Sequence, residues 1–310
     1  MKTRTLLSKS YLLLIVIVMI MISCSQGPSD PPPGNNAGGE TLKEINDVCY
    51  ITYKNGRIAN FQKRELSYST DTCFVYYDNQ GKVNKIVRQE GVSYYSYYYT
   101  LAFYYYNNSK VSQITMPGRF TSTKINPDTL SVNAYGMDTT SFCTERYYFD
   151  YDPQGRLWHM KFRRTPASCS ASFTYDDTLK YADNTTKNIS KVIRKRNTGT
   201  IDSVSFTQYE TAANPVNKYV PELFYLQIPG GSRYNNICQP YQFSGEDMTT
   251  YLALSPNFIK KLRFWYSFVY SSCYCEYTPS NHFDSKGNVK SSGGYLDLIG
   301  YAIGYTYSYD

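Results

Sequence analysis

The sequence predicts an all-β protein assembled from successive hairpins. Three observations carry that expectation. Tyrosine supplies 35 of 310 residues, and long stretches alternate aromatic with polar side chains at the two-residue period of a strand. Runs of helical period are scarce, and aromatic and β-branched residues suit a pleated surface. A corner of turn residues, then a cation and an aliphatic, recurs along most of the chain.

The first 23 residues stand apart. Lys2, Arg4 and Lys9 precede an apolar run from Tyr11 to Ile22, and Ser23 lies directly before Cys24. A basic segment, a short apolar segment and a small residue at the cleavage point make a secretory signal. The run is shorter than the roughly 20 residues a membrane span needs. Ser23-Cys24 resembles the bacterial lipobox, which implies cleavage before Cys24 and a diacylglycerol on its sulfur. Each buried CH₂ contributes about 0.8 kcal/mol, so such an anchor is effectively permanent.

Residues 24–44 read as a tether, because Pro31 to Pro33 stiffen it, Gly and Asn loosen it, and no hydrophobic period appears. Its stretch from Ser25 to Glu40, fully extended, holds the body roughly 50 Å from the bilayer. Residues 45–310 then form a single domain. Losing the signal peptide lowers the formal charge from +7 to about +4. The remaining cations are scattered, and the one cluster, Lys191 to Arg196, alternates with apolar residues as the wet face of a strand does. No broad basic stripe exists, which excludes nucleic acid as a partner.

The corner is clearest in FDYDPQGRLWHMKF, Phe149 to Phe162. Asp152 suits the first position of a type I turn, Pro153 presets the second, and Gly155 accepts a left-handed backbone. Strict alternation beyond it places Trp158, Met160 and Phe162 on a buried side and Leu157, His159 and Lys161 on the other. Related units are ITYKNGRI (Ile51 to Ile58), VYYDNQGKVNKI (Val75 to Ile86), FYYYNNSKVSQI (Phe103 to Ile114) and HFDSKGNV (His282 to Val289). A looser copy runs from Phe173 to Ile193. Insertions at Pro117 to Phe142 and Gly199 to Phe258 read as extra strands and long loops on the same sheet system. The tract SYYSYYYTLAFYYYNN, Ser93 to Asn108, places Tyr95, Tyr97, Tyr99, Leu101, Phe103 and Tyr105 on a core face. Tyr94, Tyr98, Tyr104 and Tyr106 fall on a half-wet face.

YYDNQGKV and FDYDPQGRL resemble the YD repeats of Rhs-type proteins. With the lipobox, the tyrosine excess and the closing GYTYSYD (Gly304 to Asp310), the chain more nearly resembles a family of Bacteroides-type lipoproteins of unknown function with a porin-like fold. The resemblance spans Asn46 to Asp310. It implies a strongly curved antiparallel sheet or partial barrel held outside the cytoplasm, and it carries no catalytic residue. A membrane-embedded barrel would show an apolar lipid-facing band. Lys161 and Arg163 on the non-core face point instead to a soluble body.

Motifs for chemistry are sparse. The two histidines, His159 and His282, lack Cys or carboxylate at metal-ligand spacing, and neither H-E-x-x-H nor G-x-S-x-G occurs. Cys273 and Cys275 share a strand face without a second pair to complete a zinc site. Seven cysteines remain once Cys24 is lipidated, and spacing does not fix their connectivity. Cys49 and Cys73 occupy equivalent positions on next-but-one strands, about 9–10 Å apart, beyond disulfide reach. Asp78, Asp152, Asp176 and Asp284 read as turn residues and not as a glycosidase pair.

The expectation is therefore a non-catalytic, outer-membrane-anchored binding or assembly module with no cofactor and no metal. Its partner is a glycan or an envelope protein, met through Tyr94, Tyr98, Tyr104 and Tyr106. A periplasmic carrier of a lipid or acyl chain is one alternative, and a glycan-acting enzyme using turn carboxylates is another. Ser25 gives no reason for inner-membrane retention, and no acidic export-like run follows Cys24. Together these points favour the outer membrane with the body facing the periplasm over the cell surface.

Overall fold

A computed structural model describes residues 41–45, 49–64, 70–91, 97–117, 119–122, 144–165, 174–197, 199, 201–219, 224–225, 251, 253–267, 272–296 and 301–309. The first strands are β1 (Leu42–Ile45), β2 (Cys49–Lys54), β3 (Arg57–Arg64), β4 (Thr70–Tyr77), β5 (Val83–Gly91) and β6 (Tyr97–Asn107). Next come β7 (Lys110–Met116), β8 (Arg119–Ser122), β9 (Thr144–Tyr151), β10 (Leu157–Thr165), β11 (Tyr175–Tyr181), β12 (Ile189–Arg196) and β13 (Ile201–Ala213). A short helix α1 (Pro215–Tyr219) follows, then β14 (Asn257–Ser267), β15 (Ser272–Tyr277), β16 (Ser280–Phe283), β17 (Val289–Leu296) and β18 (Tyr301–Tyr309).

All pairings are antiparallel and follow chain order. β7 and β8 act as one interrupted strand against β6, and β15 and β16 as another against β17. Pro117 and Pro279 sit at the two interruptions, where the missing N–H cannot serve a ladder. The sheet curves until β18 meets β1, with Leu42 opposite Tyr309 and Ile45 opposite Tyr307. β1 in turn pairs with β2 through Glu44–Tyr50 and Ile45–Cys49. Only three residues of β18 reach β1, so the result is a partial barrel, laddered across its seam near one rim. Leu42, at the start of β1, is a buried core residue.

Every hairpin read from the sequence forms. At the Asp corners, the carboxylate of Asp78 accepts from the N–H groups of Gln80 and Lys82, that of Asp152 from Arg156, and that of Asp284 from Lys286 and Asn288. Gly81, Gly155 and Gly287 take φ of 77°, 77° and 82°. In the third unit Asn108 and Ser109 hold φ of 47° and 66° instead, the left-handed region that short polar side chains tolerate best after glycine. Asp176 is a correction: it lies inside β11, opposite Lys161, and Asp183 performs the turn role in that unit by accepting from Thr185 and Thr186.

The recurrence has a physical purpose. On seven strands a tyrosine donates its hydroxyl to the carbonyl of a residue at or next to the start of the strand beside it. Seven such bonds, 2.6–3.0 Å long, join Tyr53 to Leu42, Tyr77 to Ile58, Tyr106 to Val83, Tyr151 to Val111, Tyr181 to Leu157, Tyr209 to Ile189 and Tyr309 to Val289. The acceptor is the aliphatic of the preceding unit, or Leu42 where β1 begins. The cation before that aliphatic lies over the same tyrosine ring. Arg57 stands 5.3 Å from the Tyr77 centroid, Lys82 5.4 Å from Tyr106, Lys110 4.9 Å from Tyr151 and Arg156 4.2 Å from Tyr181. At this rim β2, β4, β6, β9 and β11 are each tied to one neighbour by a turn and to the other by a tyrosine.

A register shift accompanies most of these tyrosines, as at Thr52/Tyr53, Tyr76/Tyr77, Tyr105/Tyr106 and Leu157/His159. Such bulges re-aim side chains, and they correct the facing expected after the turn. Leu157, Met160 and Phe162 are buried, whereas Trp158 is the bulged residue and stands outside, 42% exposed. The tyrosine tract is corrected similarly. Ala102, Tyr104 and Tyr106 belong to the inner core, Tyr105 is 51% exposed, and Tyr99 and Leu101 are buried on the outer face with Val87.

The inner face carries most of the core. The outer face of β9 to β15 carries Arg146, Asp150, Lys161, Arg163, Asp176, Lys191, Lys195, Lys261, Arg263 and Glu276. Apolar inside and charged outside is the inverse of a barrel whose outer band meets lipid.

Candidate functional site

The inner face of the sheet is occupied by the protein's own chain. The connection from β13 to β14 starts and ends at the tyrosine rim, held there by Asn214 to the Ser255 carbonyl and by reciprocal bonds between Asn188 and Asn257. Its described residues reach widely separated arcs of the sheet. The Tyr225 carbonyl accepts from Tyr104 on β6, its hydroxyl meets that of Tyr151 at 2.9 Å, and its ring meets Phe149 on β9 edge-on. Lys218 donates to Asn288 at the β16–β17 corner, and α1 lies beside β1. A segment touching β1, β6 and β9 together lies across the concave side.

Its deepest contact is a buried charged centre. Arg194 on β12 forms a bidentate pair with Asp177 on β11, Nε to Oδ1 at 2.8 Å and Nη2 to Oδ2 at 2.7 Å. Their side chains are 5% and 0% exposed. Tyr251 donates to Asp177 Oδ2 at 2.7 Å, and the guanidinium lies 3.9 Å from the Tyr175 ring centroid. Tyr175, Phe162 and Tyr147 continue as a line of rings with centroids 5.0 and 4.8 Å apart.

Burial works against the charge on Arg194, but Asp177 outweighs it and holds the guanidinium charged well above its ordinary range. Burial, seconded by Asp177, pushes the Tyr251 hydroxyl well above 10, so it remains a donor. Burial likewise raises Tyr151 to about 12, against a smaller opposing effect of its bond to Tyr225. Neither Arg194 nor Tyr251 is therefore poised to exchange a proton near neutrality. Its chemistry is that of a lock: charge-assisted bonds, shielded from water, that fix the inner segment to β11 and β12.

This centre was not legible in advance. The run Lys191 to Arg196 does not present one wet face, because Val192 and Arg194 point inward while Lys195 is exposed. Nearby, Arg196 pairs with Asp202 at 2.7 Å.

Of the candidate binding residues, Tyr104 and Tyr106 are committed to core bonds with Tyr225 and Val83, which corrects their half-wet assignment. Tyr98 lies on β6 without a described side chain, and Cys24 and Tyr94 lie outside the described residues. Cys73 is a buried thiol. His159 is mostly buried at the outer surface, with Nδ1 3.1 Å from Asp150 Oδ2, and His282 is exposed on β16. Among the described residues, no group of three or more His, Cys, Asp or Glu is arranged to hold a metal ion.

No family model matches the chain, and no curated protein matches it. Among solved structures it is similar to a porin-like protein from Bacteroides uniformis ATCC 8492, at 14% identity over 81% of this chain and 96% of that one, with a TM-score of 0.37. It is also similar to a porin-like protein from Bacteroides vulgatus ATCC 8482, at 11% identity over 81% and 97%, with a TM-score of 0.38. Likeness at that level assigns neither an activity nor a ligand.

Proposed function

We propose that the protein is a non-catalytic, lipid-anchored envelope module that displays a rigid curved sheet to a glycan or protein partner. The observation that carries this reading is the packing of the protein's own residues against the concave side. Phe224, Tyr225 and Tyr251 occupy the surface that a carrier would offer to an acyl chain, which leaves the outer wall and the rims for recognition. β1 starts at the tyrosine rim beside Tyr53, so a tether lipidated at Cys24 would reach the body at that rim. The outer membrane, with the body facing the periplasm, remains the proposed address.

Fractionation of cells making the wild type or Cys24→Ala tests this reading. The wild type is expected in the outer-membrane fraction and the variant in the soluble fraction. The soluble variant is then extracted with organic solvent and analysed by mass spectrometry. Stoichiometric lipid in that extract would overturn display in favour of carriage.

A further inference from the structure

The outer wall formed by β6, β7, β9 and β10 carries two exposed rings, Tyr105 and Trp158, at 51% and 42% exposure. Register ties them to one surface. Tyr105 is opposite Gln113, Gln113 opposite Tyr148, and Tyr148 opposite Lys161, so these side chains point the same way. Three strand spacings plus the offset of Trp158 along β10 separate the rings by roughly 17 Å. Trp158 is not a loose ring. It stacks on His159 with centroids 5.0 Å apart at 26°, and Asp150 Oδ2 holds His159 Nδ1 at 3.1 Å while standing 3.6 Å from Lys161 Nζ.

We propose that this wall is a binding site for an uncharged oligosaccharide, with Trp158 and Tyr105 stacking on two sugar rings and Gln113, Tyr148, Asp150 and Lys161 bonding hydroxyls between them. The inference rests on the display reading and gives it a ligand class. The occupant follows from what the wall offers. Each of its four strands is paired on both sides, so a peptide finds no backbone edge to extend. Polar groups interrupt the apolar surface, which leaves no continuous stripe for an amphipathic helix. Lys161 is offset by Asp150 and Arg163 by Asp176, and Arg146 is bonded to Thr165, so among its described residues the wall offers a polyanion no run of unpaired cations and a polycation no unpaired carboxylates. Flat rings flanked by mixed donors and acceptors match a ligand with apolar C–H faces and hydroxyl edges.

The chain has two tryptophans, so Trp265→Phe leaves Trp158 as the sole indole reporter. Full-length protein carrying that change, in detergent, is titrated with neutral hexasaccharides of β-1,4-glucose, α-1,4-glucose, β-1,4-xylose and α-1,6-mannose. Saturable change in the Trp158 emission with at least one of them is expected. Calorimetry on the otherwise wild-type chain then measures Trp158→Ala and Tyr105→Ala, each expected to weaken binding by about tenfold or more. Near-ultraviolet circular dichroism checks that both variants stay folded. Binding undiminished in both variants places the sugar elsewhere and overturns this site while leaving the display reading intact. No saturable response to any of the four also overturns it. The lipid-extraction result bears on the display reading alone.

Discussion

Gly155 must be glycine for two separable reasons. Its φ of 77° disfavours any side chain, and a Cβ there would collide with Lys110 Nζ, which donates to the Gly155 carbonyl. Gly287 in the Asp284 corner has the same need for φ but open space around it. Both alanine substitutions should therefore lose the roughly 1 kcal/mol that a left-handed alanine costs. Gly155→Ala should lose about 1 kcal/mol more, and Lys110→Ala should close that gap in urea titrations. Tyr151→Phe removes the donor to Val111 and the contact with Tyr225. It should cost about 1–3 kcal/mol, while Tyr105→Phe on the outer wall changes little. Asp152 gives a pH test. Burial alone would raise its pKa, but the bonds from Arg156 outweigh that and hold it below its ordinary 3.8. A depressed carboxylate stabilises the fold above its unfolded pKa and loses that contribution as pH falls through the folded value. Acid unfolding monitored downward from about pH 4 should therefore be shallower in Asp152→Asn than in the wild type.

At the scale of elements, the corners were legible because their geometry is local. Asp, Gly and the cation each act within a unit or on the next one. Facing was less legible, because alternation counted from the turn assumes an unbroken ladder and a bulge at the tyrosine shifts the count. That single displaced residue sends Trp158 out and Leu157 in. Tyr104 and Tyr106 were misjudged for a related reason. β6 is buried on both faces near Leu101 and Ala102, so aromatic density alone did not mark the wet side. The inner segment was illegible, since its anchors lie far apart in sequence: Tyr251 bonds Asp177, 74 residues away. Those anchors define a test of the lock. Arg194→Met strands Asp177 as a buried charge and should cost about 3–5 kcal/mol. Arg194→Met with Asp177→Leu removes both charges and should recover much of that loss. Equal destabilisation by the single and double changes would mean the pair is not the element that matters.

Among the described residues, the two ends of the sheet meet through a short strand, β1. β1 has four residues, two pairs to β2 and three to β18, whereas β4 and β5 share six pairs and β5 and β6 share seven. Native-state hydrogen exchange should show the amides of β1 and of Tyr307 to Tyr309 opening well before those of β5. Protection at β1 equal to that of β5 would show that the seam is no weaker than the wall.

The tyrosine link has a consequence for how such a molecule changes over generations. The β2–β3, β4–β5, β6–β7 and β9–β10 hairpins each present a carbonyl and a cation on one flank and a phenol on the other, so each of these units is both plug and socket for a copy of itself. Removing Lys54 to Tyr77 would bring Tyr53 directly before Asp78, with Tyr53 still facing Leu42 and Tyr106 still facing Val83. Girth is then counted in whole hairpins, and duplication or loss of one leaves both new neighbours already able to join.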